Sequence, residues 1–391
     1  MHIKKLLLIT HYFPAHRGGV EIVAGELAAR LANSHAIQIR WLASDMDPSP
    51  ERTERLNPIP IRANNAFERY LALPYPFWSA PGLIRLVREV KASDIVHLHD
   101  FIYFSNIVAF VAARLFRKPV LITQHIGFIP YRNHALRMLL TILNRMVGAL
   151  MLRHAERVVF ISESVRAYFD RFVRYRQAPA FVPNGVDHQI FYPTDCQGRT
   201  DVRKALGLHC DDVVFLFVGR FVEKKGLPLL RFAAERVKNV KWIFAGAGPC
   251  DPETWCLPNV TVLRNRTGAS LADVYRASDL LVLPSKGEGF PLVVQESMAC
   301  GTPCLIATET ATSHPGLQQV TFAVDVELDG AEQRFWERLS ILVARRTDLQ
   351  TMRSTVAEFA QKNWSWDLCA EKYVEILQDF EAPIIQRALS I

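Results

Sequence analysis

A chain of 391 residues is longer than one ordinary domain and most simply makes two. Half of its residues are hydrophobic and 22% are charged, which supplies a large core and excludes a disordered chain. The formal net charge of +7 is unevenly spread, because residues 101–180 carry twelve Lys/Arg against three acids. That basic stretch is either a solvated surface or a face for an anionic membrane or acceptor, and no nucleic-acid motif accompanies it. The seven cysteines are scattered, with no Cys-x-x-Cys pair and no zinc-like spacing, so they read as reduced thiols of a cytoplasmic protein.

In chain order, Leu6–Thr10 reads as a buried first strand. Its apolar run is too short for a signal peptide and leads straight into His11. The loop His11–Glu21 holds Gly18 and Gly19, and Ile22, Val23, Leu27 and Leu31 follow at helical spacing. Ile37–Ala43 is a second strand, and Asp45–Pro60 reads as polar, proline-bearing loop. Leu83–Val90 is helical, and Asp94–Asp100 is a strand ending in His97, His99 and Asp100, two histidines without a convincing third metal ligand. Val120–Thr123 delivers Gln124, His125 and Gly127. Leu136–Leu152 is broken by Arg137, Asn144 and Arg145, so it is no membrane span; with Phe128–Arg132 it reads equally as a membrane-surface segment or a core helix. Val158–Ile161 and Ala180–Val182 complete the first series.

A second series begins near Asp212: strands Val213–Val218, Trp242–Ala245, Val260–Leu263, Leu280–Pro284 and Pro303–Ala307, with helices from Ala331 to Lys362. Short apolar strands alternating with helices predict parallel sheets covered on both faces. Turn chemistry puts the boundary at about residues 184–200.

The most informative stretch is Ser285–Pro303: behind the apolar strand Asp279–Pro284 it runs through Gly-Glu-Gly-Phe-Pro into a helix that Gly301 stops. Free N–H groups and a positive dipole end at a sheet's carboxyl edge suit an anion. Glu288 and Glu296 flank that position and suit hydroxyls, so a ligand with both phosphates and sugar hydroxyls is expected. Arg220 and Lys225 follow another strand and are placed to hold a diphosphate. Gly246-Ala247-Gly248 is either a fragment of a dinucleotide fingerprint or a tight turn.

Together these motifs resemble the retaining, nucleotide-sugar-dependent glycosyltransferases of family 4. Glu288-Gly289-Phe290-Pro291-Leu292 with Glu296 is similar to the family's E-x7-E signature. Gly219-Arg220 with Glu223–Gly226 is similar to its G-R…E-K-G loop, and Pro183–Asp187 to its hinge. Gly18–Glu21 is similar to its N-terminal glycine loop, Ser162–Ser164 to its S-x-S segment, and Trp364-Ser365-Trp366 to the start of its terminal helix. The resemblance implies a GT-B fold of two Rossmann-like α/β domains facing across a cleft. Residues 1–190 would form the acceptor-side domain, 191–364 the donor domain, and 365–391 a helix returning to the first.

It further implies that Glu296 takes the donor's ribose hydroxyls and Glu288 those of the transferred sugar. The amides of Phe290 and Leu292 would touch sugar or phosphate, with Gly219, Gly289 and Pro291 shaping the loops. Arg220 and Lys225 would neutralise the diphosphate, Gly18 and Gly19 would close over it, and His125 would contact the donor sugar. Attack on the donor's front face is the family expectation, without a divalent metal or other cofactor, since the cations can serve the phosphates. The expected activity is transfer of a sugar to a glycan or lipid-linked acceptor in cell-surface polysaccharide or glycolipid synthesis. It would take place in the cytoplasm or on the inner face of the plasma membrane. A nucleotide-sugar epimerase or a non-catalytic nucleotide-sugar binder of the same fold is the alternative. Two departures bear on the donor: Val262–Arg266 lacks the family's glycine beside the base, and Thr308–Gly316 replaces its Gly-Gly-x-Pro-Glu loop.

Overall fold

The computed structural model describes residues 5–34, 37–65, 75–128, 134–327 and 329–380. Two compact units emerge: the chain up to Asn184 together with the segment from Trp366, and Gly185–Ser365. The first break falls inside Pro183–Asp187 and the second inside Trp364-Ser365-Trp366, whose two buried tryptophans belong to different units.

The strands of the first unit are β1 (Lys5–Ile9), β2 (Gln38–Ser44), β3 (Leu56–Ile61), β4 (Ile95–His99), β5 (Val120–Gln124), β6 (Arg157–Phe160) and β7 (Ala180–Phe181). These seven run parallel in one sheet, in the order β3-β2-β1-β4-β5-β6-β7, and a separate short antiparallel pair joins Ala63–Asn64 to Phe77–Trp78. The β1 residues from Leu6 to Ile9 are buried on both faces, which is why the strand reads as an unbroken apolar run. One face carries α1 (Gly19–Ser34) and, from the end of the chain, α15 (Trp366–Gln378). The α15 helix is tied down by Tyr373, whose hydroxyl meets Thr123 Oγ1 at 2.8 Å, and by Asp367, which accepts from Arg30 Nε at 3.2 Å.

The second unit repeats the plan with β8 (Val214–Val218), β9 (Lys241–Ala245), β10 (Val260–Leu263), β11 (Leu280–Leu283), β12 (Cys304–Ala307) and β13 (Phe322–Val324). These too are parallel, in the order β10-β9-β8-β11-β12-β13. In both sheets the order reverses beside the first strand, between β1 and β4 and between β8 and β11. An open α/β sheet binds its ligand outside the strand ends at that switch point.

The expected loop Asp45–Pro60 is corrected: its last residues belong to β3. Pro58 and Pro60 hid it, yet β3 is an edge strand, so alternate N–H groups have no sheet partner and proline is tolerated there. Leu56, Ile59 and Ile61 are buried.

The segment read as membrane surface or core helix is both-sided. It runs as α4 (His134–Leu143), a π turn over Asn144–Gly148 and α5 (Ala149–His154). Met151 and Leu152 are buried and Gly148 lies against the Phe101 ring, while Met138, Leu139, Ile142, Met146 and Leu150 are exposed. Ile129–Arg132 and residues 381–391 lie outside the described residues. No helix among the described residues is long and apolar enough to cross a membrane.

Candidate functional site

At the switch point of the second sheet, β8 ends in Gly219 and Arg220, and β11 ends ahead of Ser285–Gly289. Gly219 has φ +147°, a conformation that L side chains rarely adopt. Gly246 packs flush beneath it, where a Cβ would come within 2.0 Å of the Gly219 carbonyl oxygen. Gly248 packs equally closely on Phe221, whose N–H donates to Ala247 O at 2.8 Å. Gly246-Ala247-Gly248 therefore packs against the Arg220 loop, and that close backbone approach accounts for both glycines.

Glu223–Lys225 forms one 3-10 turn closed by Gly226 in the left-handed region, φ +80°. Gly226 sits where a Cβ would meet Pro284 O at 2.4 Å, and Lys286 N–H donates to Lys224 O at 2.9 Å. These contacts clamp the two loops together. The result is an ion pair between Lys225 Nζ and Glu288 Oε1 at 2.9 Å, each side chain only 14% exposed. Burial pushes the Glu288 carboxyl up, but Lys225, Lys224 and Arg220 outweigh it and hold it below its ordinary value. Glu288 is thus an ionised acceptor flanked by three cations, while Arg220 is exposed and without an ion pair among the described residues.

Pro291 stands at the N-cap of α10 (Leu292–Ala299), directly before the helix, and Phe290 is buried against Trp364 with ring centroids 5.3 Å apart. Glu296, one turn into α10, accepts from Tyr275 Oη at 2.9 Å. Burial raises its carboxyl to about 7, against the opposing effect of the Tyr275 hydrogen bond. The two glutamates of one signature therefore differ: Glu288 is held ionised, whereas Glu296 titrates near neutrality.

Two groups here were not among the expected site residues. Lys224 is near enough to Glu288 to stabilise its charge, although burial lowers the lysine's own proton affinity. Glu309 lies on α11 (Thr308–Ala311), in the stretch that replaces the expected glycine loop, and its Oε2 accepts from Gly287 N–H at 3.0 Å. Gly287 itself is left-handed, φ +63°, so Glu309 fixes the turn that presents Glu288. The Ser285 and Thr310 hydroxyls are buried with no hydrogen-bond partner among the described residues.

The switch point of the first sheet has its own polar cluster. His11 Nε2 pairs with Glu21 Oε1 at 2.7 Å, and the His11 ring stacks on Tyr103 with centroids 3.8 Å apart. A Cβ on Gly18 would strike the Glu21 carboxylate, whereas Gly19 opens onto empty space. His125 is buried; Asp100 Oδ1 accepts from its N–H at 2.8 Å, and its Nε2 lies 2.9 Å from His99 Nδ1. Burial lowers His97 and His125 to about 3 and pushes His99 down as well, so the three rings are neutral. Asp100 has φ +58°, and burial raises its carboxyl to about 6. The only His/Cys/acid group with metal-ligand spacing among the described residues is exposed His209, Cys210 and Asp211, ahead of β8 and outside these clusters.

Comparison with known proteins decides the family. Residues 17–190 match the profile described as Glycosyltransferase Family 4, and residues 212–327 match that of the Glycosyl transferases group 1. The chain belongs to the family 4 (group 1) glycosyltransferases. A relative in this family is the D-inositol 3-phosphate glycosyltransferase of Xylanimonas cellulosilytica, 32% identical over 214 residues. That match spans 50% of this chain, and the chain spans about half the length of this relative, 50%. Sucrose-phosphate synthase from Thermosynechococcus elongatus superimposes with a TM-score of 0.76 over 97% of this chain and 100% of that one, at 20% identity. Anabaena HepE in complex with UDP and glucose gives 0.73 over 96% and 100%, at 16% identity. The family fold is therefore GT-B, with two parallel-sheet α/β domains.

Proposed function

We propose that the protein is a retaining glycosyltransferase that moves a sugar from a nucleotide-diphosphate sugar to a glycan or lipid-linked acceptor. The observation that carries this reading is the Lys225–Glu288 pair at the second sheet's switch point, with Arg220 beside it and Glu296 on the helix that follows. As the bond from sugar to phosphate breaks, the leaving diphosphate gains charge. Preorganised cations at that place, Arg220 and Lys225, stabilise the transition state more than the ground state. We assign the diphosphate to these cations without a divalent metal. Glu288 accepts the hydroxyls of the transferred sugar, and Glu296 accepts those of the ribose. The first amides of α10, Leu292 among them, lie at the helix's positive end.

For the other unit the proposed roles follow its own geometry. His125 is neutral, and so would hydrogen-bond a sugar hydroxyl rather than carry charge. Gly19 leaves its backbone open to a phosphate, and Gly18 lets the Glu21 carboxylate fold back over it. The acceptor hydroxyl attacks the donor's front face and loses its proton to the departing phosphate. The two-carboxylate scheme of retaining glycosidases is not required.

The names of similar proteins support the substrate class: HepE was crystallised with UDP and glucose, and the curated relative is named a D-inositol 3-phosphate glycosyltransferase. For the pathway we propose cell-surface polysaccharide or glycolipid synthesis in the cytoplasm. The exposed row Met138, Leu139, Ile142, Met146 and Leu150, with Arg145 and Arg153 nearby in sequence, would rest on an anionic inner membrane surface. Sedimentation with phosphatidylglycerol vesicles at low salt should carry the protein down, and Met138→Gln/Met146→Gln should weaken this. Unchanged sedimentation of that variant removes the membrane role.

Calorimetric titration with UDP, GDP and ADP tests the donor site. One nucleoside diphosphate should bind with micromolar affinity, weakened at least tenfold by Glu296→Ala. Binding indifferent to that change would place the nucleotide elsewhere.

A further inference from the structure

Apart from both polar clusters, the first unit holds a cavity of about 500 Å³ at the opposite, amino-terminal edge of its sheet, where β1, β2 and β3 begin. This volume lies within the range of small-molecule sites. Its walls carry Lys5, Arg40, Arg52, Arg55 and Arg88 against only Glu54 and Glu89.

The charges do not cancel locally. Glu89 is consumed by Arg40, which grips it with Nε to Oε2 and Nη2 to Oε1, both at 2.5 Å. The side chains of Lys5, Arg52, Arg55 and Arg88 have no ion pair among the described residues. Four cations without an ion pair among the described residues therefore line one concavity against the single carboxylate of Glu54. Most arginines of the second unit's core, by contrast, are spent on a carboxylate or a row of carbonyls, as Arg203 is on Asp279 and Cys210.

The walls are also built rather than loose. Thr53 and Leu56 close a turn on each other, with Leu56 N–H donating to Thr53 Oγ1 at 3.0 Å and Thr53 N–H to Leu56 O at 2.9 Å. Ile39 N–H donates to Arg55 O at 2.7 Å, pinning that turn to β2. The Arg40–Glu89 fork fixes the floor against the last turns of α2 (Ala80–Ala92). Like charges gathered in a concave wall focus a positive potential, and guanidinium forks match phosphate oxygens two at a time.

We propose that this cavity is a second anion site, for a small phosphorylated metabolite carrying at least two negative charges. It is independent of the donor loops and of the reading given to them. Such a ligand would bridge Arg52 and Arg55 on the turn with Arg88 on α2 and Lys5 on β1.

The test is calorimetric titration of pyrophosphate into the full chain carrying Arg220→Ala and Lys225→Ala, which removes the proposed donor phosphate contacts. Pyrophosphate should still bind, and adding Arg52→Ala and Arg55→Ala, both on a surface turn, should weaken it at least tenfold. Unaltered circular dichroism and melting would exclude a folding defect; if the turn variant does not fold, Arg88→Glu serves in its place. Binding should fall as salt rises from 50 to 200 mM, as expected for about two or more neutralised phosphate charges. A parallel arm uses phosphatidylglycerol vesicles. Vesicle binding lost with the same substitutions assigns the phosphate to a lipid headgroup, and vesicle binding unaffected by them assigns it to a soluble metabolite. No pyrophosphate binding in the donor-site variant, or binding indifferent to Arg52, Arg55 and Arg88, overturns the proposal.

Discussion

Replacing Lys225 by alanine removes a cation that does two things. It pairs with Glu288 at 2.9 Å, in a position where both side chains are 14% exposed, and in the proposed reaction it meets the diphosphate. A fully buried pair broken on one side costs about 3–5 kcal/mol and an exposed one about 1 or less. This pair lies between, and Lys224 and Arg220 still face Glu288, so about 2 kcal/mol is expected. In a domain of this size that lowers the melting temperature by about 4–8 °C. The catalytic loss is larger: one preorganised donor at a developing negative charge is worth about 10²–10³ in kcat. Lys225→Arg keeps the charge but not the compact ammonium, and should lose less. The double variant Lys225→Ala/Glu288→Gln should be less destabilised than the two single changes summed, because its glutamine is no longer an unpaired anion. The assay is nucleotide release at saturating donor with thermal melting alongside. Turnover of Lys225→Ala within threefold of the parent, with the melting shift present, would show that Lys225 serves the fold and not the phosphates.

The Glu296 carboxyl is raised by burial to about 7 from 4.5, so the folded protein binds a proton that the unfolded chain has released between those values. Stability from this group is full below about 4.5 and is lost as pH rises through about 7, by at most about 3 kcal/mol. Glu296→Gln should therefore gain stability over the parent between pH 5 and pH 8, and a pH-independent difference in urea midpoints contradicts the assignment. Ribose binding needs the ionised form, so donor affinity should fall below about pH 7. Glu309→Ala leaves the Gly287 N–H without its acceptor and should lower kcat/KM for the donor about tenfold, given a hydrogen bond to a charged group worth about 1.5–3 kcal/mol. Glu309→Gln keeps a carbonyl acceptor and should restore most of that loss; equal losses in both variants refute the role. Gly226→Ala forces a side chain into φ +80° and against Pro284 O, and should destabilise by about 2–4 kcal/mol in chemical denaturation. A loss below 0.5 kcal/mol would mean that the loop clamp is not rigid.

Much of the fold was legible because its strands are buried on both faces. Leu6–Ile9 and Val214–Val218 are unbroken apolar runs, and such runs alternating with helices leave little but parallel sheets. Leu56–Ile61 was hidden because prolines are tolerated at an edge, a property that depends on where the strand lies and not on its composition. At the site, Glu288, Arg220 and Lys225 announce themselves through loops whose glycines are there for close backbone approach. Glu309 does not. Its contact with Gly287 joins residues 22 apart in sequence, and it stands on a four-residue helix where the family pattern breaks off. The histidines could be located at strand ends, but their neutrality follows from burial, which no spacing reveals.

Transfer from a nucleotide-diphosphate sugar is tested by following the fate of the donor. The protein is incubated with UDP-, GDP- and ADP-sugars, with and without a panel of glycan and lipid-linked acceptors, and nucleotide release is followed. One donor should release its nucleotide in an acceptor-dependent manner, with a product linkage of the donor's own anomeric configuration by NMR. A donor that binds yet releases nothing with any acceptor, or one converted to an epimer without acceptor, would contradict the account.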